Sequence, residues 1–115
     1  MRLLDKKDDW ERIVSNLMAL SEFDKKELIG LIDHTIEEIK PIVEFARMPE
    51  LRSMYINKDG SDFSLGAAVT EINTAFVIGF KIRNGRLVNV DEKAEMLIIL
   101  GKRIHEIKEA IFKCG

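Results

Sequence analysis

Cysteine is nearly absent from this 115-residue sequence, and the single one is Cys114. A lone thiol cannot close a disulfide within the chain, so no disulfide framework is expected and a reducing, cytoplasmic compartment is the natural reading. So close to the C-terminus, Cys114 reads as a loose tail residue. Proline occurs twice, at Pro41 and Pro49, which leaves room for long helices everywhere else. The glycines at 60, 66, 79, 85 and 101 are scattered, and no phosphate cradle or dinucleotide turn can be built from them. Neither sign of charge dominates: 18 lysines and arginines face 20 acidic residues, for a net charge of -2. A nucleic-acid surface usually shows a wider basic footprint, so nucleic acid is not expected as a partner. The longest unbroken apolar run, residues 96–100, has charged neighbours on both sides and is far short of a membrane span. The first nine residues lack the apolar segment of a signal peptide, and no membrane partner is expected.

What the sequence does have is amphipathic pattern. Apolar residues make up 46% and charged residues 33%, a globular balance, and the length fits one domain over residues 1–115. Trp10, Ile13, Val14, Leu17 and Met18 form one helical stripe, with Asp5, Asp8 and Asp9 where carboxylates suit the positive end of the helix dipole. A second helix is expected to start at Ser21 or Asp24. With Asp24 as cap, Glu27 completes a capping-box-like pair and Phe23 can staple onto Leu28. Its stripe runs through Leu28, Leu31, Ile32, Thr35, Ile36, Ile39, Ile42 and Val43. Pro41 lies inside that pattern, so a kink or break is predicted there, with a stop before Met48 and Pro49. A last helix capped by Asp91 is predicted to bury Leu97, Leu100, Ile104, Ile107 and Ile111, with Glu95, Lys102, Glu106 and Lys113 turned away.

Two periods compete between residues 51 and 90. As strands, Phe76, Ile78, Phe80 and Ile82 alternate with their neighbours, and Asn84-Gly85 makes a hairpin turn. As a helix, Leu65, Val69, Ile72, Phe76 and Phe80 fall on one stripe, with Ser61 or Asp62 as cap and Gly85 just past the end. The strand reading needs a turn near residues 71–74, which hold neither glycine nor proline. The helical reading also gives three helices of similar length. The expected fold is therefore mostly α, an antiparallel four-helix bundle-like domain with a kinked second helix. The alternative is α+β, with two N-terminal helices, an antiparallel three- or four-stranded meander and a C-terminal helix.

Chemistry-bearing patterns are few. His34 with Glu38, and His105 with Glu109, repeat an i, i+4 spacing that brings side chains together on a helix, and these four residues are the metal candidates. His34 lies off the apolar stripe, however, and solvated surface pairs explain both motifs. No strand–nucleophile–helix elbow surrounds any serine, and Cys114 has no evident base, so no enzyme chemistry and no cofactor is expected. Lys81, Arg83 and Arg86 form the densest basic cluster and are the nucleic-acid candidates, against the plainer reading of a solvated face. One feature leans toward a function: Val77, Ile78, Ile98 and Ile99 fall off the main stripes. A helix apolar on more than one side is either central or paired with another subunit. A small non-enzymatic protein that acts by protein–protein contact, as a homodimer, is the expectation. A metal- or small-ligand-binding protein and a nucleic-acid accessory protein are the alternatives.

Overall fold

The computed structural model describes residues 19–50 and 61–114. The helix expected around Trp10 and the turn expected at Lys58, Asp59 and Gly60 lie outside these residues. The described residues hold five helices and no strand: α1 (Glu22–Glu37), α2 (Ile39–Ala46), α3 (Ser61–Asn84), α4 (Val90–Gly101) and α5 (Ile104–Lys113). The mostly-α, bundle-like fold is the one the sequence favours, and no strand of the meander is formed among the described residues.

α1 starts at Ser21, the earlier of the two expected caps. The Ser21 hydroxyl oxygen accepts the Asp24 N–H at 3.0 Å, and its O–H reaches the Asp24 carboxylate at 2.9 Å. Asp24 is thus an inward-facing residue of the first turn, and Phe23 is exposed rather than stapled to Leu28. The helix ends at Glu37, one turn before the proline. Pro41 has no N–H to give the Glu37 carbonyl, so the continuous ladder stops at Glu38 and a new helix begins at Ile39. Pro41 then occupies the first turn of α2, where a missing donor costs nothing.

α3 is the central helix and touches α1, α2 and α5. Ile72, Phe76 and Phe80 are fully buried as predicted, but upstream the stripe passes through the small Ser64 and Ala68, leaving Leu65 and Val69 half-buried. A strand would have put Phe76, Ile78, Phe80 and Ile82 on one face. The helix separates them, burying the phenylalanines and exposing the isoleucines. Gly85 has φ +72, and its N–H bonds the Lys81 carbonyl at 2.8 Å. Asn84-Gly85 is therefore a left-handed helix stop, not a hairpin.

The two glycines within α3 differ in their surroundings, and their alanine variants differ accordingly. A Cβ at Gly66 meets nothing within 4 Å, whereas one at Gly79 lies 2.8 Å from the Arg83 Nη1. The glycine at 79 makes room for an arginine of its own helix rather than for a neighbouring helix. We expect Gly66→Ala to raise stability by about 1 kcal/mol, the helix-propensity gain. Gly79→Ala should gain clearly less, because the alanine pushes on a guanidinium held by an ion pair. Denaturant titration of both variants checks this, and an equal gain at both positions would contradict it.

The single C-terminal helix of the sequence reading is two helices. Asn89, not Asp91, caps α4, in a reciprocal box with Glu92 at 2.8 and 2.9 Å. The chain turns at Lys102 and Arg103, and the Arg103 guanidinium bridges Asp33 of α1 at 2.6 Å and Glu106 of α5 at 2.7 Å. That turn aims Ile107 and Ile111 at the core and leaves Leu97 exposed. Glu95, expected to face away, is wholly buried. One core collects Leu28 and Ile32 of α1, Ile39 and Val43 of α2, the α3 stripe, Met96 and Leu100 of α4, and Ile107 and Ile111 of α5.

Candidate functional site

The start of α1, the end of α3 and the first half of α4 bring together the buried charges of the described residues. Asp24, Glu92 and Glu95 are all buried. An isolated charge in such a place is costly, and each carboxylate has its own cation. The Arg83 Nε donates to Asp24 at 2.8 Å, and the Asn84 amide adds a bond at 3.3 Å. Arg86 forks onto both Glu92 oxygens at 2.7 and 2.8 Å. One Glu95 oxygen accepts the Leu20 N–H at 2.6 Å, and the other lies 3.4 Å from the Lys25 Nζ. Aromatic rings complete the packing. The Arg83 guanidinium sits 5.6 Å from the Phe23 ring centre and 5.9 Å from that of Phe76, and Arg86 sits 5.2 Å from Phe80.

The electrostatics follow from this pairing. Burial opposes the charge of Asp24, but hydrogen bonds from Arg83, Ser21 and Asn84 outweigh it and hold the carboxyl below its ordinary 3.8. The forked hydrogen bonds from Arg86 hold Glu92 below its ordinary 4.5, against burial. Burial also opposes the charge of Lys25, yet Glu95 and Glu22 raise its affinity for a proton. Three carboxylates are matched by three cations, and the arrangement ties three helices together.

A dependence on acid follows. The carboxyls of Asp24 and Glu92 bind protons less readily in the fold than in the unfolded chain. Their contribution is fully present above the unfolded values, 3.8 and 4.5, and is lost as pH falls through the lower folded values. We expect the urea midpoint to drop steadily from about pH 5 to about pH 3. A midpoint unchanged across that window would contradict the pairing.

The sequence-derived site residues lie elsewhere or are already engaged. His34, Glu38, His105 and Glu109 are exposed. Glu109 lines a cleft of about 470 Å³ between the α1–α2 junction and α5, together with Glu37, Glu106, Lys40 and Lys113, and Glu106 is held by Arg103. Among the described residues, no group of three or more histidine, cysteine, aspartate or glutamate side chains is placed to hold a metal ion. Of the basic cluster, Arg83 and Arg86 are taken up by Asp24 and Glu92, and Lys81 is exposed. Cys114 is half-buried rather than loose. Its thiol packs against the core near the Ala110 carbonyl, and its own carbonyl accepts from Arg47 at 3.2 Å. The length and composition of α3 would suffice to cross a membrane, because its polar residues are mostly uncharged. One stripe of it, Ala68, Ile72, Phe76 and Phe80, is buried in the core.

No family model matches the chain, and no characterised protein or solved structure shows significant similarity to it.

Proposed function

We propose that this chain is a non-enzymatic helical interaction module of the cytoplasm that self-associates, most simply as a symmetric dimer. The observation that carries this reading is the amount of large apolar side chain on the surface. Val90 is 84% exposed, Ile82 79%, Phe112 70% and Leu87 62%. Single exposed apolar residues are ordinary, but α4 sets two of them, Val90 and Leu97, on one line with no charge between them. The buried carboxylates are each matched by a cation, which favours a structural role for that cluster. A closed two-fold dimer is the simplest assembly that covers such a surface. Light scattering on the eluting chain, from low to high micromolar concentration, tests the reading. A mass rising to twice 13.2 kDa is expected, and a monomer at the highest concentration would overturn it.

A further inference from the structure

The outward side of α4 has the properties of a surface made to meet its own copy. Val90, Ala94, Leu97 and Gly101 follow one another at spacings of 4, 3 and 4, which places them on one line along the helix. The opposite side, Glu92, Glu95, Met96 and Leu100, is fixed inward by the core and the ion pairs. The line therefore faces out, with Val90 and Gly101 exposed, Leu97 51% exposed and Ala94 half-buried. A Cβ added at Gly101 would meet nothing within 4 Å, so that end of the line is open.

Large and small residues alternate along the line. We infer that two copies of the chain pack α4 against α4, antiparallel, about a two-fold axis passing beside residues 95 and 96; this rests on the self-association proposed above. In that register Val90 of each copy faces Gly101 of the other, and Leu97 faces Ala94. Each large side chain meets a small one, which lets the helices approach closely. A parallel pairing would stack Val90 on Val90 and leave a void between the two glycines. The charges select the same register. Asp91 and Lys102 are exposed, lie on the same flank of the line, and form no ion pair among the described residues. An antiparallel two-fold sets like flanks together and brings Asp91 level with Leu100 of the other copy. That is two residues, or about 3 Å of helix rise, from Lys102. Two symmetric Asp91–Lys102 pairs thus border the apolar line, with attraction at both ends.

The test is made on the full chain with Cys114→Ser, so that introduced thiols stand alone. At Leu97→Cys the two thiols lie on the contact line, offset by three residues or about 4.5 Å along the axis, and a short bis-maleimide should link two chains. Ile82→Cys, on α3 and more open to solvent than Leu97, should not cross-link. Asp91→Lys or Lys102→Asp alone should weaken self-association about tenfold, and the two together should restore it to within about twofold, because the pairs re-form with reversed sign. Cross-linking at Ile82→Cys but not Leu97→Cys, or charge reversals that add instead of cancelling, would overturn the α4 interface while leaving self-association intact. A chain that stays monomeric removes both.

Discussion

Phe76→Ala should lower the unfolding free energy by about 3–5 kcal/mol, one of the two largest effects expected from any single substitution here. Phe76 is fully buried on the helix that touches α1, α2 and α5, and its ring lies 6.1 Å from that of Phe80 and beneath Arg83. Removing it deletes apolar contact and leaves a void that helices held at three sides cannot close. Chemical denaturation measures the loss. Ile82→Ala, on the same helix but exposed, should change stability by less than about 0.5 kcal/mol. Similar losses at both positions would mean that the alternating pattern of residues 76–82, rather than the helical stripe, sets which residues are inside.

The second large effect belongs to Asp24→Ala, with an expected loss of about 3 kcal/mol. Arg83 already carries one buried nitrogen, Nη2, without a hydrogen-bond acceptor. Without Asp24 its Nε also loses its acceptor, and the Ser21 hydroxyl loses the carboxylate it donates to. The loss lies at the low end for a broken buried pair because the Arg83 side chain keeps 23% of its surface in contact with solvent. The sign of the coupling separates this cause from simple loss of packing. Arg83→Met removes the stranded charge and places an apolar chain among Phe23 and Phe76, so the Asp24→Ala, Arg83→Met double variant should be more stable than Asp24→Ala alone. A double variant as unstable as the sum of the single ones would show that the ion pair is not what holds α1 to α3.

Much of the fold was legible in the sequence because local signals agree with it. Pro41 interrupts a helix, Gly85 ends one, and Ile72, Phe76 and Phe80 keep a helical spacing that burial follows. The misplacements occur where two readings are locally equal. Along α4, one apolar line runs through Val90, Ala94 and Leu97 and another through Met96, Ile99 and Leu100. Periodicity alone cannot say which faces inward. The tertiary choice is made by Asn89 closing its box with Glu92 and by the turn at Arg103, which together rotate Glu92, Glu95 and Met96 into the interior. Glu95 could not be picked out, because its partners Leu20 and Lys25 lie 75 and 70 residues away, and nothing in the local pattern marks a carboxylate that will be buried by another helix. Arg83 reads as part of a surface cluster for the same reason, since Asp24 is 59 residues away, whereas Arg86 finds Glu92 only six residues on, across the turn into α4. The helix break at Gly101 likewise depends on Asp33, on the first described helix, reaching across to Arg103.

Sedimentation equilibrium of the parent chain beside Gly101→Leu tests self-association through α4. A Cβ at residue 101 meets nothing within 4 Å beyond its own stretch of helix, so the variant should fold with the parent's circular dichroism. It would, however, collide with Val90 of the second copy. We expect a concentration-dependent dimer for the parent and a monomer for Gly101→Leu at the same concentrations. A parent that sediments as a monomer throughout, or a variant that dimerises as tightly as the parent, would contradict self-association through α4.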